Sequence, residues 1–241
     1  MNLIVAGSTG FVATEIIRQA LSHPTVSSVV ALGRREAAVP ENVGPSAAKL
    51  KSVICNDFEH YSESVKNELA GADACIWTIA VTPGQLSKMP WEEAVKICRG
   101  YAIAGFETIT QLPRPGVSKP FRFVYISGAN TVQDPAQKPW VMGDYCLMRG
   151  EVEKRIFELA KESEGKVEAS VAKPGMIDAQ GRTGLLMGAV KTVMRTLIGL
   201  PKVNVEEISA TLLDQAVNGL EKEVLLNEDL VRIGQRVLKS H

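Results

Sequence analysis

Short apolar runs rich in valine and isoleucine alternate along the chain with longer stretches that have helical spacing. Because the runs are continuously apolar, they are predicted to be strands buried on both faces of a sheet. The runs lie at Leu3–Ala6, Val29–Leu32, Ser52–Cys55, Ala74–Ile79, Phe121–Ile126 and Val167–Ala172. The helical stretches between them are Phe11–Leu21, Ser62–Leu69, Trp91–Leu112 and Tyr145–Glu162. This alternation predicts the α/β fold class, with a doubly wound, mostly parallel sheet and helices on both faces.

The pattern loosens after the sixth apolar run. Residues 175–205 are rich in glycine, methionine and leucine, and two final helices are predicted at Val205–Leu220 and Asn227–Leu238. Ligands of a doubly wound sheet bind at the carboxyl ends of its strands, so the small segment 175–205 is predicted to cover a substrate pocket there, with help from Trp140 and Met142. The chain has no internal repeat or long linker, so residues 1–241 are predicted to form one domain.

Composition narrows the classes of function. Twenty-seven basic residues balance 27 acidic ones, and a neutral chain lacks the overall basic field that nucleic-acid binding usually uses. Four cysteines stand apart without a CxxC pair, which predicts buried free thiols in a reducing compartment rather than a metal site. The apolar stretch at 185–200 is interrupted by Lys191 and Arg195, and it falls short of the roughly 20 residues that span a bilayer. We therefore expect a cytoplasmic protein without nucleic-acid, metal or integral membrane binding.

A glycine-rich turn joins the first strand to the first helix. Gly7, Gly10 and Ala13 give the spacing GxxGxxA, in which the glycines permit a tight turn and a close approach of the backbone to phosphate. The amino end of the following helix supplies N–H donors and a partial positive charge. This arrangement predicts a dinucleotide cofactor, and the alternative is a tight turn that binds nothing. The predicted contacts here are Gly7, Ser8, Thr9, Gly10, Phe11 and Val12.

The second strand ends in two arginines, Arg34 and Arg35. An NAD-selective site tends to place an acidic residue here, whereas arginine suits the 2′-phosphate of NADP(H). We therefore predict NADP(H) rather than NAD(H), and the alternative is a pair of solvated side chains. Further cofactor contacts are predicted at Asp57 and Phe58 after the third strand, although Asp57 has the alternative role of a helix cap. The turn after the fourth strand is predicted to line the adenosine through Thr78, Ile79 and Ala80.

The helix that opens at Tyr145 aims two polar residues at the sheet. Tyr145 and Arg149 begin a stripe with steps of 4, 3, 4 and 3 that continues through Val152, Ile156 and Leu159. A buried arginine is costly without a partner, and the ribose or a phosphate of a cofactor would be such a partner. The alternative is an arginine whose head reaches water. The charged residues around this stripe are predicted to form a solvated run, namely Glu151, Glu153, Lys154 and Arg155.

Two more strand ends carry candidate chemistry. Ser127 follows the fifth strand, where its hydroxyl could hold a substrate carbonyl oxygen while Tyr145 donates a proton to that oxygen. The alternative for Ser127 is a cap on the strand end. The sixth strand leads into a proline-glycine turn that suits a wall beside the nicotinamide, or a simple turn. Its predicted cofactor contacts are Pro174, Gly175, Met176 and Ile177.

Together these motifs resemble the short-chain dehydrogenase/reductase superfamily, in its extended or atypical branch, over nearly the whole chain. They are GSTGFVA, GRR, YISGAN, YCLMRGEVE and AKPGMI, and the nearest group looks like the NmrA-like and Tat-interacting oxidoreductase-like NAD(P)-binding proteins. The resemblance implies a Rossmann-type fold, NADP(H) and a Ser–Tyr–Lys catalytic set. Ser127 matches the serine and Tyr145 the tyrosine, but Arg149 stands where the lysine is expected. Arginine keeps the anchoring role yet scarcely gives up a proton.

The predicted function is an NADP(H)-dependent oxidoreductase that reduces a ketone, an enone or a quinone-like carbonyl of a small or medium organic substrate. Tyr145 is the predicted general acid, Ser127 the carbonyl holder and Arg149 the ribose anchor. The arginine leaves two alternatives open: a non-catalytic NADP(H) sensor that regulates a partner, and a non-redox isomerase, dehydratase or cyclase. The helices at 91–112 and 145–162 could pair between copies, so a monomer or a homodimer is expected.

Overall fold

The computed structural model describes residues 1–178 and 201–240. Within those ranges the strands are β1 (Asn2–Ala6), β2 (Ser28–Gly33), β3 (Leu50–Ile54), β4 (Ala74–Trp77), β5 (Phe121–Ile126), β6 (Val167–Lys173), β7 (Met176–Asp178), β8 (Lys202–Asn204) and β9 (Val224–Leu226). The α-helices are α1 (Phe11–Ser22), α2 (Glu63–Leu69), α3 (Pro83–Leu86), α4 (Trp91–Val95), α5 (Tyr101–Thr110), α6 (Gly143–Glu162), α7 (Val205–Asn218) and α8 (Asn227–Lys239). A π-helical turn at Lys96–Gly100 joins α4 to α5. In these two ranges, no helix is long and apolar enough to cross a membrane.

Seven of the strands form one parallel sheet in the order β3-β2-β1-β4-β5-β6-β9. The chain builds outward from β1 in one direction and then from β4 in the other, so the connections reverse direction between these two central strands. The carboxyl ends of β1 and β4 therefore form the point at which doubly wound sheets bind ligands. The predicted fold class, with its parallel sheet and its helices on both faces, is confirmed.

Both faces of the sheet are buried. Along β1, Leu3 and Val5 pack into one apolar layer with α1, α7 and α8, whereas Ile4 and Ala6 pack into a second layer with α2, α5 and α6. Each of these four side chains is 0% exposed. The two layers explain the continuous apolar run in the sequence, since every position of a strand covered on both faces removes apolar surface from water.

Three features depart from the sequence-based prediction. β4 ends at Trp77 rather than Ile79, and the Thr78 hydroxyl then donates to the Ala6 carbonyl at 2.7 Å as the chain turns. The π-helical turn interrupts the single helix predicted over 91–112. The sequence pattern does not predict β9, because only Leu225 in that strand is buried and no apolar run results.

The segment predicted to cover the pocket, 175–205, lies mostly outside the described residues. Its two ends pair as the parallel strands β7 and β8. Asn227 joins these ends, because its side chain accepts from the Gly175 amide at 2.9 Å and donates to the Lys202 carbonyl at 3.0 Å. Trp140 is 99% exposed, so within the described part of the chain it does not close a pocket as predicted. The prediction of buried free thiols is confirmed for all four cysteines.

Candidate functional site

Gly7 links the ends of three strands at the carboxyl edge of the sheet. Its amide donates to the Leu32 carbonyl of β2 at 2.9 Å, and its φ of +86° lies in the left-handed region that favours glycine. A Cβ at this position would lie 2.5 Å from the hydroxyl oxygen of Thr78, which follows β4. Gly10 then continues the turn, since its amide donates to the Gly7 carbonyl at 2.8 Å. The glycine spacing therefore does produce a tight turn against β2 and β4.

The amino end of α1 fits a phosphate group. Gly10 precedes the helix, no side chain caps its first turn, and that turn contains no acidic residue. The N–H groups there keep their partial positive charge and their hydrogen-bonding capacity. The Ser8 hydroxyl is buried without a hydrogen-bond partner among the described residues, although buried polar groups normally have one. Of the other predicted contacts in this turn, Thr9 and Phe11 are exposed and Val12 is half-buried.

Two arginines follow the strand that packs against this turn. Arg34 and Arg35 follow β2, both are exposed, and neither side chain forms a hydrogen bond or an ion pair within residues 1–178 and 201–240. Ser8 lies next to Gly33, the residue before them, because a Cβ on Gly33 would be 2.6 Å from the Ser8 hydroxyl oxygen. Two cations without a counter-charge fit the phosphate that the sequence predicts at this position.

The other residues predicted to contact the adenosine differ in burial and in hydrogen bonding. Asp57 accepts from the Glu59 amide at 3.0 Å and pairs with His60 at 3.1 Å within a turn, whereas Ser62 caps the next helix, so the alternative of a helix cap is wrong for Asp57. The hydrogen bond from the Glu59 N–H lowers the pKa of the Asp57 carboxyl most, and the hydrogen bond with His60 lowers it further. Phe58 is 2% exposed within the aromatic core, which leaves only its backbone for a ligand. The turn after β4 contributes three half-buried residues, Thr78, Ile79 and Ala80.

The half-buried Tyr145 and the buried Arg149 form a pair one turn apart on α6. The Arg149 guanidinium donates to the Tyr145 hydroxyl at 3.0 Å and to the Ile126 carbonyl, at the end of β5, at 2.5 Å. Tyr145 in turn donates to the Val81 carbonyl at 2.7 Å. Arg149 is 3% exposed, and its guanidinium carbon lies 5.2 Å from the centre of the Tyr125 ring. The alternative interpretation, an arginine head in water, is therefore wrong.

This pair keeps capacity for a ligand. Arg149 Nε is buried and has no hydrogen-bond partner in the described part of the chain. Burial raises the pKa of the Tyr145 phenol, while the positive charge of Arg149 acts in the opposite direction. The phenol is consequently neutral near pH 7, and if it lost its proton the resulting tyrosinate would face a fixed cation.

The π-helical turn helps to fix the group that binds Tyr145. The turn contains Cys98, whose sulfur accepts from the Val81 amide at 3.2 Å. The carbonyl of the same residue, Val81, accepts the Tyr145 hydroxyl. π-Turns recur at functional sites because they change which side chains a helix presents to its neighbours. Here the turn places a cysteine so that it orients the backbone beside the tyrosine.

Ser127 lies beside the carboxylate of Glu153, which is buried although its charged sequence neighbours predict a solvated position. Ser127 is 9% exposed, and its hydroxyl donates to Glu153 Oε1 at 2.5 Å. The Thr131 hydroxyl contacts the same oxygen, and Lys173 pairs with Glu153 Oε2 at 3.2 Å. Glu153 is 2% exposed, so the predicted solvated run is wrong at this position. One signal for its burial is in the sequence, because Glu153 comes four residues after Arg149 on the same helix.

The turn after β6 is held from both sides. Pro174 accepts from the Ala129 amide at 2.8 Å, which ties the turn to the segment after β5. Gly175 lies so close to Pro201 that a Cβ would overlap the Pro201 carbonyl oxygen, and Met176 donates to that carbonyl at 2.8 Å. The turn therefore forms a fixed wall at the carboxyl ends of β5 and β6, with Ile177 half-buried in β7 behind it.

The chain was compared with protein families, curated proteins and solved structures. No protein-family model matches the chain. One curated relative, the mitochondrial protein FMP52 of Candida albicans, is 22% identical over 247 residues, which covers 97% of this chain and 98% of that protein. The solved structure of vestitone reductase from alfalfa is 17% identical with a TM-score of 0.63, over 93% of this chain and 74% of that one.

Two further solved structures extend the likeness. A dTDP-glucose 4,6-dehydratase from Streptomyces venezuelae, with NAD bound, is 16% identical with a TM-score of 0.67, over 99% of this chain and 81% of that one. A short-chain dehydrogenase/reductase from Saccharomyces cerevisiae is 14% identical with a TM-score of 0.66, over 96% of this chain and 98% of that one. The chain therefore has the fold of the short-chain dehydrogenase/reductase enzymes.

Proposed function

We propose that this chain, which has the short-chain dehydrogenase/reductase fold, is an NADP(H)-dependent oxidoreductase. It reduces a ketone, an enone or a quinone-like carbonyl of a small or medium organic substrate, or oxidises the corresponding alcohol. One observation carries the proposal: an uncapped glycine-rich helix start and the hydrogen-bonded Tyr145–Arg149 pair lie at the same edge of one parallel sheet. The NAD in the dehydratase structure supports a nicotinamide dinucleotide at this edge.

The described residues fit such a cofactor. The turn from Gly7 to Val12 would hold the diphosphate through backbone N–H groups, and the buried Ser8 hydroxyl would gain the partner that it lacks. Arg34, with Arg35 beside it, would bind the 2′-phosphate that distinguishes NADP(H) from NAD(H). Arg149 would anchor the nicotinamide ribose, and the turn after β6 would form a wall beside the nicotinamide. When bound, the cofactor supplies or removes the hydride.

Tyr145 exchanges the proton of the reaction with the substrate oxygen in this proposal. To donate, its O–H group turns from the Val81 carbonyl towards that oxygen. The loss of the proton leaves a tyrosinate, which the Arg149 guanidinium stabilises across the 3.0 Å hydrogen bond. Arg149 does not pass a proton onward, because a guanidinium is not deprotonated in proteins. Ser127, at the end of the neighbouring strand, contacts the same substrate oxygen.

The experiment that tests this function has two stages. A calorimetric titration of the chain with NADPH and with NADH should show the tighter binding with NADPH. NADPH oxidation across a panel of ketones, enones and quinones should then fall by about 10²- to 10⁴-fold in Tyr145→Phe, the range that general acids contribute, with NADPH affinity retained. Tyr101→Phe on α5 is the matched control and should leave kcat unchanged. An unaltered rate in Tyr145→Phe would count against the proposal.

Two alternative functions give different results in the same experiment. A sensor, which the arginine at position 149 favours, would bind NADPH without turnover and would bind a partner in a cofactor-dependent way. A non-redox enzyme, which the dehydratase among the solved structures favours, would form a product of unchanged oxidation state. The cytoplasmic location stays a prediction, and the mitochondrial name of the curated relative makes cell fractionation its direct test.

A further inference from the structure

The backbone of Val81 connects a buried cysteine to the candidate general acid. The Val81 amide donates to Cys98 Sγ at 3.2 Å, and the Val81 carbonyl accepts the Tyr145 hydroxyl at 2.7 Å. Val81 is 2% exposed and Cys98 is 0% exposed, so water cannot easily replace the contact with the sulfur. The peptide groups on both sides of Val81 are therefore held, one by the sulfur and one by the phenol.

The Val81 carbonyl acts differently on the two protonation states of Tyr145. It accepts the O–H of the neutral phenol, whereas a tyrosinate oxygen at the same 2.7 Å would face the negative end of the carbonyl dipole. A hydrogen bond made by the neutral form of an acid disfavours its ionisation. The tyrosinate is relieved of this repulsion only if the carbonyl turns away, and the bond from the Val81 amide to Cys98 opposes that movement.

Charged and titratable side chains face Tyr145 from three elements. Arg149 and Cys146 lie on α6, Cys98 lies in the π-helical turn, and Tyr125 lies on β5. The positive charge of Arg149 favours the tyrosinate. Burial raises the pKa of the Cys146 thiol and of the Tyr125 phenol, so both are neutral near pH 7. The guanidinium and the backbone carbonyl therefore act in opposite directions on the phenol oxygen.

We propose that Cys98 is a positioning residue: by holding the Val81 backbone beside Tyr145, it keeps the phenol in its protonated form. The inference rests on the proposed oxidoreductase function and concerns its direction. A protonated phenol donates to the oxygen of a carbonyl substrate, whereas the oxidation of an alcohol needs the tyrosinate as a base. The site therefore favours carbonyl reduction near pH 7 and oxidises alcohols at more alkaline pH.

Two substitutions separate the hydrogen bond of Cys98 from its packing. Cys98→Ala removes the acceptor, so the Val81 carbonyl can turn away from a tyrosinate, whereas Cys98→Ser keeps an acceptor for the Val81 amide. Tyr145 should ionise roughly half to one pH unit lower in Cys98→Ala, the value of one neutral hydrogen bond, and at the wild-type pH in Cys98→Ser. Cys75→Ala is the matched control, because it truncates a buried cysteine of β4.

The ionisation of Tyr145 can be followed without cofactor or substrate. Tyrosine labelled with ¹³C at Cζ gives a resonance that moves when the phenol loses its proton, and Tyr145→Phe identifies the signal. The ionised fraction is compared among the variants from near pH 7 up to the pH at which circular dichroism detects unfolding. Equal fractions in the wild type and Cys98→Ala overturn the inference. So does an equal shift in Cys98→Ser and Cys98→Ala, because a charge on the sulfur would then explain it.

Steady-state kinetics tests the consequence for the reaction. The kcat is measured against pH for acetophenone with NADPH and for 1-phenylethanol with NADP⁺. In Cys98→Ala, the loss of reduction and the gain of oxidation should both move to lower pH by the amount that the NMR titration gives, with NADPH affinity retained. A purely structural role would instead lower both rates and leave the pH midpoints in place, and this result overturns the inference.

Hydrogen exchange at the Val81 amide tests the contact with sulfur in the wild-type protein. The amide should exchange slowly in the wild type and in Cys98→Ser, and faster in Cys98→Ala. Rapid exchange in the wild type overturns the inference, even if Cys98→Ala does not fold. Failure to bind NADPH, or binding without turnover, overturns the proposed function instead, and the NMR titration still decides whether Cys98 keeps Tyr145 protonated.

Discussion

Gly150 of α6 packs directly on the carbonyl of Val132, with no space for a Cβ between them. The contact joins the helix that carries Tyr145 and Arg149 to the loop that begins at Ser127. The position of the Tyr145–Arg149 pair relative to Ser127 therefore depends on this one close contact between the loop backbone and the helix. A larger side chain at position 150 would have to push the loop away from α6.

Gly150→Ala should reduce the free energy of unfolding by about 1–3 kcal/mol, the usual cost of overpacking a buried contact. The added methyl meets backbone, which cannot move aside as a flexible side chain can. Urea unfolding measures the change, and Gly84→Ala is the matched control because a Cβ at Gly84 would meet nothing within 4 Å. Equal stability of the two variants would contradict the packing argument.

Gly7→Ala should abolish high-affinity nucleotide binding. Gly7 combines a φ of +86° with a site where a Cβ would lie 2.5 Å from the Thr78 hydroxyl oxygen. Gly116→Ala separates the two effects, because Gly116 has a φ of +75° and open space around it. Both variants should lose about 1–2 kcal/mol of stability to the left-handed backbone. A calorimetric NADPH titration should then show a loss of binding in Gly7→Ala alone.

Arg34→Ser should reduce the affinity for NADPH by roughly tenfold to a hundredfold, since a hydrogen bond to a charged group contributes about 1.5–3 kcal/mol. The affinity for NADH should change little, because NADH lacks the 2′-phosphate. Arg35→Ser is expected to have the smaller effect of the two. Arg236→Ser on α8 removes the same charge from an ion pair with Glu221 and serves as the control. A parallel loss for both cofactors would show that Arg34 does not bind the 2′-phosphate.

The sequence predicts the strands that are buried on both faces of the sheet. β1 lies between β2 and β4 and is covered on both faces, so each of its apolar positions contributes to a visible run. β9 lies at the edge of the sheet, and only Leu225 in it is buried. A three-residue edge strand leaves no periodic pattern, and its place depends on pairing with β6, which is a tertiary contact.

The candidate site also has parts that the sequence predicts and one part that it does not. The turn at Gly7 and the tyrosine helix could be predicted because local spacing alone brings their residues together. The four-residue step from Arg149 places Glu153 on the same side of the helix, but a glutamate among charged neighbours has this pattern whether that side faces water or a loop. The approach of Val132 to Gly150 brings that loop onto the helix, and the contact joins segments 18 residues apart in the chain.

The buried phenol of Tyr61 is expected to reduce the free energy of unfolding at alkaline pH. Its hydroxyl has no hydrogen-bond partner among the described residues, and burial raises the pKa of this phenol. A phenol whose pKa is raised by folding contributes stability below the unfolded value of about 10 and loses it as the pH rises further. Tyr61→Phe should therefore match or exceed the wild-type stability near pH 7, by up to about 1 kcal/mol. Urea unfolding near pH 7 and at about pH 11 should also show a smaller alkaline loss in the variant, and an equal loss in both proteins would refute the assignment.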